Sequence, residues 1–441
     1  MDERLIDLDV TGVAHGGVFV GRHEGRVVFV PDAIPGERVR VRLTDTGKGS
    51  FWRGEVLEIL DASPHRRPHV WRHADVDTPP EDRPGGADFG HIELAHQRAL
   101  KLQVARDALE RIGRLDLPIA IEPASGDGEA PAETPDGTGW RTRVSLHVDA
   151  DGRVGPYAAR SHRVIPVEDH PLATPAVARA ALQLAAGKPG RIDLVQPADG
   201  RVRVIPRPEA ERPRRSGPRR GGARPAKPTV PVKNDPARET VTERASGRDF
   251  RVDAGGFWQV HRLAADSLAS AVASRLQGAV DPDAWHLDLY GGVGLFAATL
   301  GDLGGPGTRV TTVESDPRAT EHAGQNLVEW VGARAETARV DRWLARLRDE
   351  ASLAQRERLS RGVVVLDPPR SGAGRDVVEG VAALGPATIV YVACDPVALA
   401  RDLATFRALG YEAGGVTAFD LFPNSHHVEA VTTLTRVGEP R

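Results

Sequence analysis

Over the first part of the chain, apolar and polar positions alternate in short runs: Leu5 to Val10, Gly17 to Arg22, Arg26 to Val30, Glu37 to Leu43 and Phe51 to Ile59, with glycine-containing turns between them. A period of two over so few residues marks half-buried strands, and this spacing predicts a small β-barrel over 1–62. Residues 61–91 are rich in Pro, His, Arg and Asp and read as an irregular connection. Ile92 to Ile112 repeats its apolar positions at helical intervals, which predicts an amphipathic helix. Residues 121–139 carry Gly, Pro, Glu and Asp with little to bury, so a solvated loop is expected.

From Trp140 to Leu172 the pattern alternates again, with an Asp151-Gly152 turn, and predicts an antiparallel hairpin. A helix over Pro175 to Ala186 and strands near Ile192 to Val195 and Arg201 to Ile205 complete a small α+β unit spanning 63–250. Within it, 206–236 is dominated by Arg, Gly and Pro and is expected to be a disordered, strongly positive loop. Strands resume over Glu239 to Val252, and Phe257 to Val260 leads into a helix over Arg262 to Arg275.

Beyond residue 251 the period switches. Strands expected at 285–290, 309–314, 335–340, 363–367 and 389–393 alternate with helical stretches, followed by a strand pair near 413–418 and 428–435. That succession predicts an α/β fold with a doubly wound, mostly parallel sheet, in which ligands bind beyond the carboxyl ends of the strands. The first of these strands runs into Gly291, Gly292 and Gly294 and then a helix, and the second ends in Glu314. Glycine permits a sharp reversal and a close approach of backbone to a nucleotide, and an acid at that spacing accepts hydrogen bonds from ribose hydroxyls.

Composition narrows the choice. The 441 residues are 40% hydrophobic and 27% charged, as in a globular chain long enough for two or three domains. No apolar run approaches the ~18 residues of a membrane-spanning helix, and the acidic start MDERLIDLDV lacks a secretory core, so a cytoplasmic protein without a membrane partner is expected. The net charge of −3 confines any nucleic-acid binding to local patches. Cys394 is the only cysteine, which excludes an intrachain disulfide and a multi-cysteine metal site.

Three strand ends carry candidate chemistry. Val363 to Leu366 delivers Asp367, and Pro368-Pro369 then stiffens the turn towards a cofactor cleft. Ile389 to Ala393 delivers Cys394, placed where a reactive thiol would meet a ligand, with Arg401 on the following helix as a source of positive potential for the thiolate. Phe422-Pro-Asn-Ser-His-His427 delivers Glu429 at the start of the last strand.

Taken in order, LDLYGGVGLF, VESDPRA, VVLDPPRSG, YVACDPVALARDL and FPNSHHVEAV resemble the RNA uracil-5-methyltransferases that form 5-methyluridine, strongly from Phe257 onward. The stretch VTGVAHGGVFVGRHEGRVVFVPDAIPGERVRVRL resembles the TRAM domain, an OB-like RNA-binding barrel. The resemblance implies a Rossmann-like class I methyltransferase domain over 251–441, S-adenosylmethionine as cofactor, and rRNA or tRNA as partner of a monomeric enzyme. It further implies Gln259, Tyr290, Glu314 and Asp367 at cofactor-binding positions, Cys394 as nucleophile and Glu429 as base. Many relatives carry a cysteine-ligated iron–sulfur cluster in the stretch matching Arg83 to His91; with Cys394 alone, none can form here. Ala393, Asp395, His261 and Leu295 also depart from the usual pattern. Two other readings use parts of the same sequence. A nicotinamide dehydrogenase would use Gly292, Gly294, Ala297 and Glu314 but not Cys394, and a noncatalytic RNA-binding protein would use only the barrel and the basic loop.

Overall fold

In the computed structural model, which describes residues 4–47, 49–126, 133–209 and 235–437, β1 (Leu5–Ala14), β2 (Val18–His23), β3 (Arg26–Val30), β4 (Arg38–Asp45) and β5 (Phe51–Asp61) close into a barrel in the order β1-β2-β3-β5-β4. Alternate positions such as Leu8, Phe19, Val28, Val39 and Val56 fill its interior. Phe89, Ile92 and Leu100 extend that core into α1 (Leu94–Ala108), so the barrel is seated on the helix that follows it. Sequence and structure agree here because a period-two pattern needs only one buried face to be read.

β7 (Arg143–Val148), β8 (Val154–Gly155), β9 (Gly190–Val195) and β10 (Arg203–Pro208) form a second sheet in the order β10-β9-β7-β8, covered by α2 (Pro175–Leu182). β11 (Thr240–Ala245) and β12 (Arg248–Asp253) pair as a hairpin. Several expected boundaries move, the hairpin expected over Trp140 to Leu172 being confined to β7 and β8. α2 stops at Leu182 rather than at residue 186; of the residues that follow only Leu184 packs against the cluster under the helix, and Gln183, Ala185 and Ala186 are exposed. The basic loop is expected from 206, but β10 continues to Pro208; Pro206 is tolerated because, among the described strands, β10 lies at the sheet edge. Residues 210–234, the bulk of that loop, lie outside the described residues.

The third sheet has nine strands. Its main path runs β15 (Arg334–Thr337), β14 (Arg309–Glu314), β13 (Trp285–Leu289), β16 (Val363–Leu366), β17 (Thr388–Ala393), β20 (Glu429–Arg436), β19 (Val416–Asp420) and β6 (Ile119–Pro123), with β18 (Tyr411–Ala413) also on β20. β15 to β17 are parallel, and β20 is antiparallel to β17. Both faces are buried: Val363, Val365, Val390 and Val392 pack on one side, Val364, Leu366, Ile389 and Tyr391 on the other. Strands covered on both faces read as continuous apolar runs, which is why they were conspicuous in the sequence.

β6 corrects an expectation. Ile119 to Pro123 was assigned in part to a solvated loop, yet it forms the sheet edge, parallel to β19 with Ile119 opposite Val416. Its partner is almost three hundred positions away, and a five-residue strand completed by so remote a neighbour leaves little local signal. Winding on the two sides of β13 runs in opposite directions, so the crevice at the carboxyl ends of β13 and β16 is the switch point at which such sheets bind ligands. Among the described residues, no helix is long and apolar enough to cross a membrane.

Candidate active site

The turn after β13 begins with Tyr290 at φ 64°, followed by Gly291, where an added Cβ would lie 2.0 Å from Thr312 Oγ1 and 2.3 Å from Asp288 Oδ2. Only glycine fits there. Asp288 is fully buried and accepts hydrogen bonds from Thr312 Oγ1 and Ala297 N, each at 3.1 Å, so it ties β13 to β14 and to the helix α4 (Leu295–Gly304). Gly291→Ala is expected to cost about 1–3 kcal/mol through overpacking. Thermal melts should show that loss, together with a lost thermal shift on adding S-adenosylmethionine.

Register brings the expected residues together. With Leu289 opposite Leu366, the next positions along the parallel pair are Tyr290 and Asp367. In the antiparallel pair, Ala393 faces Ala430, so one step further along the same register sets Cys394 opposite Glu429. Directly opposed residues in an antiparallel pair point to the same face with Cβ atoms about 4.5–5.5 Å apart. The thiol and the carboxyl, remote in sequence, are thus cross-strand neighbours at the sheet's ligand-binding edge.

Two adjoining cavities run along this edge. The larger, about 1220 Å³, contains all six expected site residues: Gln259, Tyr290, Glu314, Asp367, Cys394 and Glu429. The smaller, about 430 Å³, shares Phe257, Gln259, Tyr290, Glu314 and Asp367 with it but not Cys394 or Glu429. The four expected cofactor positions therefore line the passage common to both cavities, while of these two the expected nucleophile and base line the larger. Glu314 ends β14 with Oε1 accepting from Asp316 N at 2.8 Å and Ser315 Oγ at 3.0 Å; among the described residues Oε2 has no hydrogen-bond partner.

The site is rich in carboxyl groups. Burial, and then the neighbouring Asp288, pushes Asp367 up to about 7; burial, opposed by its two hydrogen bonds, also leaves Asp288 at about 7. Burial and Asp367 raise Glu429 well above the ordinary carboxyl range, so this side chain is a buried acid rather than a solvated one. Cys394 is pushed up to about 12, first by burial and then by Glu429 and Asp367, with Arg370 acting the other way. Arg401 does not take the part expected of it. It donates to Ser371 O and to Asp402 Oδ1 at 3.3 Å, because it points along the turn rather than into the cleft. A cation that favours the thiolate is Arg370, in the Asp-Pro-Pro-Arg turn, a position with no sequence signal to distinguish it from a solvated arginine.

Second contacts hold these groups. Asp402 accepts from Tyr391 OH and Ala373 N, both at 2.7 Å, and pins the turn that carries Arg370. The loop before Glu429 is clamped by α1: Lys101 Nζ donates to Asp420 Oδ1 at 2.5 Å and to Phe422 O at 3.0 Å, while Gln97 Oε1 accepts from Asn424 N at 2.8 Å. Asn424 sits at φ 66° and donates through Nδ2 to Gly137 O at 2.7 Å. Where relatives were noted to hold a cluster, Arg83 is buried and donates to Asp32 Oδ2, Thr78 O and Val76 O. Among the described residues no group of three or more His, Cys, Asp or Glu is arranged to hold a metal.

The chain resembles known proteins along most of its length. The TRAM domain family matches residues 4–57, and the tRNA (uracil-5-)-methyltransferase family matches 335–437. An uncharacterized RNA methyltransferase of Streptomyces avermitilis is 39% identical over 453 aligned positions, covering 97% of each chain. Another, from Bifidobacterium longum, is 35% identical and covers 96% of this chain and 95% of that one. Among solved structures, the Pyrococcus abyssi tRNA (uracil-54, C5)-methyltransferase in complex with S-adenosyl-L-homocysteine superposes with a TM-score of 0.65 at 20% identity, covering 97% of this chain and all of that one.

Proposed function

Because this chain belongs to the tRNA (uracil-5-)-methyltransferase family of S-adenosylmethionine-dependent RNA methyltransferases, with a TRAM domain at its start, we propose that it methylates carbon 5 of a uridine in tRNA or rRNA through a covalent Cys394 adduct, as a cytoplasmic monomer. The observation that carries this reading is the cross-strand pairing of Cys394 and Glu429 at the mouth of a cavity lined by the cofactor positions. A dehydrogenase needs neither group, and family membership removes that reading.

The residues fit the cofactor. Gly291 leaves space at the turn, Glu314 Oε2 is available to ribose hydroxyls, and Tyr290, Gln259 and Asp367 complete the passage. S-adenosylmethionine supplies an electrophilic methyl group on a positively charged sulfur. Carbon 5 of uracil is too weak a nucleophile to accept it unaided. Cys394 adds to carbon 6, converting the ring to an enolate whose carbon 5 is nucleophilic. Glu429 then removes the proton from carbon 5, and the ring expels Cys394 as its double bond returns. Reaching carbon 6 requires the base to leave its stack, and a cavity of about 1220 Å³ is large enough for a nucleoside beside the cofactor. Comparing 5-methyluridine in tRNA and rRNA from cells with and without the gene tests the substrate; unchanged maps would refute it.

The acidic cleft gives a pH prediction. Asp288 and Asp367 hold protons up to about 7 in the folded chain against an ordinary value of 3.8, so between those values the folded state binds more protons than the unfolded one. These two groups therefore make the protein lose stability as pH rises through that window. A sulfonium ligand favours their charged forms. Stabilisation by S-adenosylmethionine should grow from about pH 6 to about pH 8, whereas S-adenosylhomocysteine, with its neutral thioether, should show little such growth. Thermal shifts in both ligands across this range check it; parallel curves would refute it.

A further inference from the structure

The barrel touches the candidate nucleophile's own loop. The turn between β1 and β2 carries His15, whose Nε2 lies 2.8 Å from Asp395 Oδ2, on the residue directly after Cys394. The other oxygen of Asp395, Oδ1, accepts from Ala398 N at 2.8 Å and caps α9 (Pro396–Ala408). One carboxylate thus anchors the helix behind the thiol with one oxygen and the barrel with the other. The turn is also keyed in sterically: a Cβ at Gly17 would lie 2.7 Å from Asp88 Oδ2 and 2.8 Å from His426 Nδ1, which are themselves hydrogen-bonded. Between turn and thiol lies a cavity of about 120 Å³, lined by His15, Gly16, Gly17, Arg370, Cys394 and Asp395.

We propose that His15 of the barrel is a positioning residue of the methyltransferase site, which holds Asp395 and compensates its charge so that the Cys394 thiolate can form. The inference rests on the reading of Cys394 as nucleophile. Asp395 is a full negative charge one residue from a sulfur that must itself become negative; left uncompensated it opposes ionisation, and paired with an imidazolium it does so far less. His15 is raised from its ordinary value by the hydrogen bond to Asp395 and by that group's charge, against a lowering by burial. The other charged or titratable groups around this small cavity are Lys101 on α1, Arg370 in the turn after β16, and His426 and His427 in the loop before β20, with Asp88 bonded to His426. Lys101 is already engaged by Asp420, and Asp88 by His426, which leaves Asp395 to His15. The pair is partly exposed, with His15 at 47% and Asp395 at 20%, so its loss should leave the fold intact.

Cys394 being the only cysteine, alkylation of the full-length protein by iodoacetamide reports on this thiol alone. The reaction does not depend on methyl transfer, so its outcome stands apart from that of the functional reading. Near about pH 6, below the ordinary imidazole value of about 6.5, His15→Ala and His15→Gln should alkylate roughly tenfold more slowly than the parent, the effect of about one pKa unit in the thiol. The gap should narrow as pH climbs and the parent's His15 loses its proton. His15→Lys, which keeps a cation, should stay near the parent rate. In an Asp395→Asn background His15→Ala should have no further effect. A parent-like rate for His15→Ala at every pH, a pH-independent gap, or an equal loss in the Asp395→Asn background would each overturn the proposal. Circular dichroism and the S-adenosylmethionine thermal shift verify folding, and should His15→Ala fail there, His15→Gln carries the same comparison.

Discussion

Cys394→Ala is expected to lower methyl transfer by more than about 10⁴-fold while leaving the fold and cofactor binding intact, because it removes the covalent route rather than one of several contacts. The surroundings of this thiol make the expectation stringent. Burial, Glu429 and Asp367 oppose its ionisation, and Arg370 favours it. A thiol held so far from its thiolate is unreactive at rest, and on this reading it becomes competent only as positive charge enters the cleft. Cys394→Ser tests the same point with a side chain of similar shape, whose hydroxyl ionises far less readily. The measurements are transfer of labelled methyl to RNA and trapping on 5-fluorouridine RNA, in which fluorine cannot leave as a proton. The parent should give a denaturation-stable complex and both variants none. Intact turnover in the serine variant would end the covalent proposal.

Glu429→Gln should have the second largest effect, a loss of roughly 10²–10⁴-fold in turnover, typical of removing a general base. Its signature differs from that of the cysteine variants. Glutamine occupies nearly the same volume but cannot take the proton from carbon 5, so methylated RNA should stay attached to Cys394 and a stable adduct should accumulate on ordinary uridine RNA. In the parent, burial and Asp367 keep Glu429 protonated well above the ordinary carboxyl range. Its base form therefore increases as pH rises, and single-turnover release should speed up with pH; in the variant that dependence should vanish. A variant that forms no adduct at all would show that Glu429 acts before methyl transfer, and the proposed order of steps would be wrong.

The two variants probe residues that were legible in different ways. Cys394 stood out as the only cysteine at the end of an apolar strand, and Glu429 as an acid at the start of another. That the two oppose each other follows from the Ala393 to Ala430 register, which the strand pattern alone does not determine. Asp367 was visible through its rigid Pro-Pro turn. Arg370, one step further, was not given a role, because an arginine at a turn looks the same whether it faces solvent or a thiol. Asp288 was passed over inside an apolar run, although it pins the turn that only Gly291 can make. Arg401 is expected near the thiol from its helical position alone, but its side chain donates to Ser371 O and Asp402 instead.

What the sequence determined by itself was whatever depends on local period and on residue type at element ends: a closed barrel, a buried parallel sheet, the glycine turn and the three strand-end groups. Those signals survive without knowing any partner, since a strand buried on both faces must be apolar throughout and a strand buried on one must alternate. Only the tertiary structure decided which groups meet. It drew Ile119 to Pro123 into the sheet, set the thiol against the carboxyl, and brought the barrel's His15 onto Asp395 across 380 residues of chain. Contacts of that separation are chosen by packing and register, and no local pattern encodes them.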